Sequence, residues 1–333
     1  QLKSYYLSSS VHVDSIDYLI GYNYRLHSLD CMNLKSKSVT QIVLPGDGPD
    51  AIVRLSGIYA QSLDSVWISD ESERAFLIDS VGTIKRMIDL KKYLEDQEQL
   101  LINTNYAMFT SHLFYNASRH SLMFLVKHTP SNTFIVKEAF IDEVGKMATY
   151  QLSSSKVVPD MSKGYAYINF PNVNFVGENI VYNYPVESSI YMLDIRTNER
   201  KYILADSHYT SNIIEKCTTS GDYATLEKHW LENSHFYDIM YLPKYKIYAR
   251  LHADKVDFDE KKGMEKLINE RDLYLMLFDE NMEKIGETKL SNCRYSPFTS
   301  WNATYGGIAL FVDNVLDEKN NTDDLTIDII SLK

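Results

Sequence analysis

The clearest pattern along the chain is a repeated run of apolar residues that ends in Asp, followed by a polar turn and a second run that ends in Leu. From the Asp to the closing Leu, five segments fit it: 30–44, 79–90, 142–152, 194–204 and 279–290. Two strands joined by a tight turn account for this pattern. Because it recurs, the chain is expected to be built from repeated units.

Another strand-like run precedes each of these segments, and a sixth lies near the end of the chain. The runs begin at residues 18, 65, 113, 179, 246 and 308, so they recur every 47 to 67 residues. A shorter apolar run lies just upstream of each one and would be the innermost strand. We label the four strands of a repeat A to D, in chain order. Four strands in such a period are typical of a propeller blade with insertions.

The sequence therefore predicts an all-β fold, a six-bladed β-propeller with four-stranded antiparallel blades in a single domain, residues 1–333. The predicted blades cover approximately residues 10–44, 54–90, 105–152, 166–204, 235–290 and 298–332 plus 2–7. The last repeat lacks a fourth strand, and residues 2–7 precede the first A strand without a blade of their own. We therefore expect the ring to be closed by the N-terminal strand pairing into the last blade, which removes an exposed edge.

The lengths of the predicted links separate the two faces of the disc. In an up-and-down blade, A–B and C–D links lie on one face, whereas B–C and D–A links lie on the other. The long segments are D–A or B–C links: 91–104, 153–165, 205–234, 253–271 and 314–324. Two of them contain helical spacing, at 222–232 and 257–271. Binding sites usually lie on long loops of a rigid scaffold, so this face is predicted to carry the site.

Composition and charge exclude several functional classes. The chain is 44% apolar and 24% charged, as in soluble globular proteins, and its 25 tyrosines suit strands and partly exposed surfaces. Its net charge of −11, with dispersed Lys and Arg, argues against binding of nucleic acid or anionic membranes. No apolar run approaches the roughly 20 residues of a transmembrane helix. The three cysteines, Cys31, Cys217 and Cys293, are far apart, so no zinc or dithiol site is predicted.

Tyrosine–asparagine pairs end the predicted B strand in three blades. These pairs are Tyr22–Asn23, Tyr115–Asn116 and Tyr182–Asn183. The blade geometry would bring them to the loop-rich face, where rings and amides can bind sugars or peptides by stacking and hydrogen bonding. The alternative is structural: each Asn would cap a turn, and each Tyr would pack between blades.

The sequence contains no local catalytic or metal-binding motif. The nine histidines lack H-x-H, H-x-x-x-H and H-E-x-x-H spacing, and no G-x-S-x-G is present. The recurrent Asp residues are expected to bond the backbone of their own turns. Catalytic residues are therefore unknown, and neither a metal nor a cofactor is predicted. An axial enzyme site is the alternative, although candidate carboxylates on the inner strands are few: Asp14, Asp17 and Asp238.

Two segments carry a resemblance to known families. Residues 65–85 resemble a blade of NHL- and TolB-type six-bladed propellers. The turn at 46–50, Gly-Asp-Gly-Pro-Asp, resembles a signature common in propeller lipoproteins of Bacteroidetes. Taken whole, the chain is similar to a DUF4221-type family of such lipoproteins, whose function is unknown. The resemblance implies an exported protein, periplasmic or anchored to the outer membrane by a lipid on a Cys upstream of Gln1.

These observations favour a ligand- or partner-binding propeller of the cell envelope. Its expected ligand is a glycan, a peptide or a partner protein. A hydrolase or lyase with a site at the axial funnel is one alternative, and a structural component of a larger assembly is another. An ordered metal held by two or more carboxylates at the axis would favour the enzyme.

Overall fold

The computed structural model describes residues 2–105, 109–143, 145–158, 164–165, 168–217, 222–319 and 324–332. Over these residues the chain folds into a six-bladed β-propeller, as the repeat predicts. Among the described residues, five blades contain four antiparallel strands whose first lies at the axis, blade 6 contains three, and short extra strands join the sheets of blades 3 and 4.

The first four blades contain strands β1 to β19. Blade 1 contains β1 (Ser8–Val13), β2 (Ile16–Asn23), β3 (Ser28–Asn33) and β4 (Val39–Val43). Blade 2 contains β5 (Leu55–Ser62), β6 (Ser65–Asp70), β7 (Arg74–Ile78) and β8 (Ile84–Asp89). A 3-10 helix (Leu90–Tyr93) precedes the short strands β9 (Glu98–Leu100), β10 (Asn103–Asn105) and β11 (Phe109–Ser111). Blade 3 contains β12 (Phe114–Asn116), β13 (Ser121–His128), β14 (Thr133–Phe140) and β15 (Met147–Gln151). Blade 4 contains β16 (Asn172–Val176), β17 (Asn179–Asn183), β18 (Ile190–Asp194) and β19 (Arg200–Ile203).

The last two blades contain the remaining strands and are associated with two helices. Helix α1 (Tyr223–Leu231) precedes blade 5, which contains β20 (His235–Leu242), β21 (Ile247–Ala253), β22 (Leu273–Phe278) and β23 (Lys284–Lys289). Helix α2 (Met264–Asn269) lies between β21 and β22. Blade 6 contains β24 (Trp301–Ala303), β25 (Ile308–Phe311) and β26 (Ile327–Ile330). Both helices fall within the segments for which helical spacing was predicted.

Burial along the strands explains why the sheets stack around an axis. The middle strands are covered on both faces by neighbouring blades; for example, every described residue of β21 is buried. The outer strand β4 is largely exposed, and only Ile42 is buried. Apolar clusters fill the spaces between blades: Ile20, Ile58 and Phe76 share the one between blades 1 and 2. Burial between sheets thus holds the ring together.

Blade 3 differs from its predicted strand assignment. Residues 113–116 were predicted to be its B strand, but 114–116 form the inner strand β12, and the B strand is β13. The eight-residue pairing of β13 with β14 fixes this register. Upstream, β11 joins blade 4 instead, through a parallel pair between Ser111 and Val173. Residues 106–108 of the predicted inner strand lie outside the described residues.

Ring closure also differs from the prediction. Over the described residues, the sheet of blade 6 has three strands, and residues 2–7 form no strand in it. This segment lies between the first and last blades, where the Tyr5 carbonyl accepts a hydrogen bond from the Ser300 backbone N–H at 3.0 Å. The Tyr5 side chain packs against Leu19 of blade 1 and Phe311 of blade 6. The segment therefore packs between blades 1 and 6 instead of adding a strand to the described sheet of blade 6.

The two faces have the unequal links that were predicted. A–B links have two to four residues, from 14–15 to 304–307, whereas the D–A link 204–234 and the B–C link 254–272 are long. The helices α1 and α2 lie in these two long links and pack together through Leu231 and Leu267. The loop-rich face therefore carries the longest links and both α-helices, as expected for a face that holds a binding site.

The structural interpretation of the recurrent Asp residues is confirmed in three blades. Oδ1 of Asp79 accepts hydrogen bonds from the backbone N–H groups of Val81 and Thr83, at 3.1 and 2.8 Å. Asp194 and Asp279 bond their own turns in the same manner. These carboxylates therefore have a local role in the C–D turns.

Candidate functional site

A pocket of about 540 Å³ opens on the loop-rich face near the junction of blades 1, 2 and 6. We call it the loop-face pocket. The side chains that line it include Tyr6, Tyr22, Tyr24, Arg54, Glu71 and Phe298. Its volume lies within the usual range for small-molecule sites.

Strand ends bring these residues together although they are far apart in sequence. Tyr22 lies near the end of β2, and Glu71 directly follows β6, so both mark the ends of B strands. Arg54 directly precedes β5, and Phe298 lies shortly before β24, so both lie at the starts of A strands. Ends of B strands and starts of A strands share one face of the disc, which is why the pocket draws on several blades.

Half-exposed tyrosine rings stand at the mouth of the pocket. Tyr6 is 57% exposed and Tyr24 is 50% exposed. Burial of its inner part raises the pKa of Tyr6, and the neighbouring Tyr24, Asp313 and Glu265 raise it further. On another wall, Phe298 stacks on Trp230 of α1, with ring centroids 5.4 Å apart. The pocket thus offers flat aromatic surfaces with polar edges.

Charged and hydroxyl groups lie between these rings. Nε of Arg54 is 3.5 Å from Oε1 of Glu71, and both side chains are well exposed. The Tyr22 hydroxyl is 3.1 Å from Nδ1 of His27, whose Nε2 is 2.8 Å from the Ile52 carbonyl oxygen. Burial raises the pKa of Tyr22, so its hydroxyl stays protonated at neutral pH. The pocket therefore presents donors and acceptors close to apolar ring faces.

The floor of the pocket closes it off from the axis. Ile102 lines the pocket, and Leu113 lines a second cavity on the other side. Both side chains lie against Gly57 of β5, where an added Cβ would come within 2.7 Å of Ile102 and 3.3 Å of Leu113. Ser69 Oγ would lie nearer still, at 2.5 Å, so the three side chains together fill the space that a Cβ would need.

Comparison with known proteins identifies the family. A family model described as a domain of unknown function, DUF4221, matches residues 3–289, most of the chain. The chain belongs to the DUF4221 family. This agrees with the resemblance found in the sequence.

A solved structure of a family member shows the same fold as this DUF4221 protein. A crystal structure of a DUF4221 family member from Bacteroides vulgatus ATCC 8482 matches with a TM-score of 0.79 and 14% identity. The match covers 100% of this chain and 95% of that one. Regucalcin, a calcium-binding protein from Agrobacterium tumefaciens, matches with a TM-score of 0.44 and 11% identity over 95% of this chain and 85% of that one. No curated protein matches.

Of the three Tyr–Asn pairs, Tyr22–Asn23 lies at the loop-face pocket of this DUF4221 protein. Tyr22 lines the pocket. Asn23 is buried behind it, where its Nδ2 donates to Asp30 at 2.9 Å and its Oδ1 accepts from the Leu26 backbone N–H at 3.2 Å. The tyrosine therefore faces the pocket, while the asparagine holds the turn beneath it.

The Tyr115–Asn116 pair lies at the other face of the disc. It ends the inner strand β12, because blade 3 is shifted from its predicted assignment. The Tyr115 ring stacks on Trp67 at 5.6 Å, and Oδ1 of Asn116 accepts from the Ser118 backbone N–H at 3.1 Å. The expected clustering of all three pairs on one face is therefore wrong.

The Tyr182–Asn183 pair ends a B strand, β17, but lies in the core. Tyr182 is 2% exposed, and its hydroxyl accepts a hydrogen bond from the Ser153 backbone N–H at 2.9 Å. Asn183 is fully buried, and its Nδ2 donates to the Phe236 carbonyl at 3.3 Å. Ser153 follows blade 3 and Phe236 lies at the start of blade 5, so the pair joins blade 4 to both of its neighbours.

The inner-strand carboxylates do not converge. Asp14 lies in the first A–B turn, and Asp17 accepts hydrogen bonds from the backbone N–H groups of Tyr305 and Gly306, which links blades 1 and 6. Asp238 is fully buried. Among the described residues, no group of three or more His, Cys, Asp or Glu could hold a metal ion. No described helix is long and apolar enough to cross a membrane.

Several pocket residues were not predicted from the sequence. Tyr6, Tyr24, Arg54 and Phe298 lie outside the Tyr–Asn pairs on which the prediction was based, and each lies beside an observed strand rather than within one. The available signal was positional: residues just before an A strand or just after a B strand share the loop-rich face. If this positional rule is applied to every blade, it selects these four residues. It also selects many residues that lie on the same face but outside the pocket.

Proposed function

We propose that this protein is a ligand-binding propeller of the cell envelope and that the loop-face pocket is its binding site. The observation that carries the proposal is the pair of half-exposed rings, Tyr6 and Tyr24, beside the exposed Arg54–Glu71 ion pair. Large exposed aromatic side chains around a concave polar pocket are characteristic of recognition surfaces.

A neutral oligosaccharide fits this chemistry best among the expected ligands. The apolar C–H face of a sugar ring can stack on a tyrosine ring, while sugar hydroxyls exchange hydrogen bonds with a guanidinium, a carboxylate and a phenol. Arg54, Glu71 and Tyr22 supply these three groups. The net charge of −11 disfavours polyanionic glycans. A peptide is the competing ligand.

Removal of the two exposed rings is expected to abolish most of the binding. We expect Tyr6→Ala combined with Tyr24→Ala to weaken binding by about tenfold or more, because each stacked ring contributes on the order of 1 kcal/mol. The measurement is calorimetric titration of the whole protein with short neutral oligosaccharides built from different hexoses and pentoses. Unstructured peptides of similar size are titrated in parallel.

The matched control is Tyr209→Ala. Tyr209 is 53% exposed and stacks on Tyr274 at 5.0 Å, outside the loop-face pocket. It should leave the affinity unchanged. Equal losses of affinity in the double variant and in Tyr209→Ala would show that the loop-face pocket is not the binding site. Binding of peptides but not of oligosaccharides would show that the ligand is a peptide.

Placement at the cell envelope is supported by the match to a family member from Bacteroides vulgatus and by the resemblance to propeller lipoproteins. We expect the product of the full gene, expressed in a Bacteroidetes host, to sediment with membranes and to be released by detergent. Cell fractionation with immunodetection measures this. Recovery in the cytosolic fraction would contradict the proposal without affecting the binding site.

A further inference from the structure

A second cavity, of about 330 Å³, lies on the axis, at the face that carries the short A–B turns. We call it the axial cavity. Its walls come from the inner strands of all six blades, represented by Ser9, Tyr59, Phe114, Phe175, Met240 and Ala303. Gly177 and Pro243, at two A–B turns, lie on its rim. It is therefore distinct from the loop-face pocket, from which Ile102 and Leu113 separate it.

One side of the axial cavity is a continuous aromatic wall. The rings of Tyr59 and Phe114 meet edge to face with centroids 5.1 Å apart, and those of Phe114 and Phe175 stack at 5.0 Å. Ile58 and Met240 extend the apolar lining. Such a wall favours a flat apolar ligand, because aromatic rings gain from offset stacking and edge contacts.

A histidine–aspartate pair supplies the polar end of the cavity. Nε2 of His112 is 2.8 Å from Oδ2 of Asp238, and the other Asp238 oxygen accepts from Nε1 of Trp301 at 3.0 Å. Asp238 is fully buried, whereas the His112 side chain is 18% exposed and lines the cavity. The carboxylate thus fixes the imidazole from behind.

This arrangement determines which hydrogen bond the imidazole can offer. A carboxylate only accepts, so Nε2 carries the proton, and in the neutral ring Nδ1 keeps its lone pair. Within the described part of the chain, Nδ1 has no hydrogen-bond partner. A ligand whose O–H group donates to Nδ1 would give both nitrogens of the His112 ring a hydrogen-bond partner.

The serine and asparagine side chains around the cavity are already bonded within the protein. Ser9 Oγ accepts from the Ala60 backbone N–H at 3.0 Å, and Ser10 Oγ donates to the Ala303 carbonyl at 2.6 Å. Nδ2 of Asn174 donates to the Ile239 carbonyl at 3.0 Å. These bonds hold the inner strands together. The hydroxyls of Tyr59 and Tyr241 also line the cavity, but among these groups His112 is the one that a buried carboxylate holds in place.

We propose that the axial cavity is a second binding site, for a single-ring aromatic compound bearing a hydroxyl group. The ring lies against Phe114 and Phe175, and the hydroxyl donates to Nδ1 of His112. A cavity of this volume has room for about ten water-sized groups, which matches one substituted ring. This site and its ligand class are independent of the oligosaccharide proposed for the other face.

The test compares 4-fluorophenol with fluorobenzene, which differ by the hydroxyl alone. In ¹⁹F NMR titrations of the whole protein, we expect saturable binding of both, with 4-fluorophenol about tenfold tighter, as one buried hydrogen bond provides. In His112→Leu the two affinities should become equal while fluorobenzene still binds. The matched control is His128→Leu, a histidine in the hairpin of blade 3 that bonds only the Ser131 side chain, and it should keep the tenfold difference.

A second variant tests the same proposal if thermal denaturation shows that His112→Leu does not fold. Val176→Phe fills space at the rim of the cavity without removing a hydrogen bond of its side chain, and it should weaken both probes by about tenfold, the cost of lost ring contacts. Equal affinities in the unaltered protein, a tenfold difference retained in His112→Leu, or full affinity in Val176→Phe would each overturn the proposal.

Discussion

Replacement of Arg250 by Ala is expected to reduce the free energy of unfolding by about 3 to 5 kcal/mol. Arg250 is fully buried on β21, between blades 4 and 5. Its guanidinium donates to the Ser188 carbonyl at 2.6 Å and to the Ala205 carbonyl at 2.9 Å, and it lies over the Phe236 ring at 4.8 Å. Burial lowers its pKa to about 9, which still leaves it protonated at neutral pH.

The expected loss has three parts. Two carbonyl groups of blade 4 lose their donors, a cavity opens beside Phe236, and the nearby Glu187 and Glu287 lose a compensating charge. Arg250→Met fills most of the space left by the arginine, so it should reduce the free energy of unfolding by less, about 1 to 3 kcal/mol. This remaining loss comes from the two carbonyl groups that have no donor. Urea denaturation followed by circular dichroism measures both.

Arg196→Ala is the control for this prediction. Arg196 is 66% exposed and lies 3.7 Å from Asp194, so its removal should change stability by no more than about 0.5 kcal/mol. If Arg250→Ala remained within about 1 kcal/mol of the unaltered protein, the guanidinium could not be the link between these blades.

The propeller could be predicted because its signal is repeated. Asp79, Asp194 and Asp279 end C strands in three blades and bond the following turn, so one local requirement recurs at one position. The same rule failed in blade 1, where Asp30 lies within β3 and is buried. There Asn33 caps the turn, accepting from the Ser36 backbone N–H at 2.9 Å. The amide oxygen of Asn accepts a hydrogen bond from the turn backbone as a carboxylate oxygen does. A rule based on Asp alone therefore places this turn at the wrong residue.

The candidate sites were harder to predict because they depend on contacts across the ring. His112 and Asp238 are 126 positions apart, and neither belongs to a local motif. Blade 3 adds a further difficulty, because an extra strand, β11, joins blade 4 and shifts Tyr115 from the loop-rich face to the other one. Tyr22 lies at the loop-face pocket and its strand was assigned correctly, but Tyr182, which also lies near the end of a correctly assigned B strand, is buried in the core. Correct strand assignment places a side chain on a face of the disc but does not by itself bring it to a pocket.

Tyr5 lies at the closure of the ring, and its contacts involve both ends of the chain. Its hydroxyl donates to Asp30 in blade 1 at 2.6 Å, and its ring lies 5.6 Å from that of Phe311 in blade 6. A Cβ at Gly21 would overlap the ring, so the glycine makes room for it. The Tyr5 carbonyl also accepts from the Ser300 hydroxyl at 2.6 Å. Closure therefore uses side-chain contacts between blades 1 and 6, those of Tyr5, Asp17 and Ser10 among them, rather than a shared strand.

Tyr5→Ala should cost about 4 kcal/mol, because a large buried ring is lost and Asp30 loses a donor. Tyr5→Phe, which removes only the hydroxyl, should cost about 1 to 2 kcal/mol. Hydrogen exchange is the second measurement: in Tyr5→Ala, amides of β1 and β24 should lose protection before those of blades 3 and 4, because the ring opens at its seam. The neighbouring Tyr6→Ala, at an exposed position, should preserve both stability and protection. Uniform loss of protection in every blade of Tyr5→Ala would show that the seam is no weaker than the other blade interfaces.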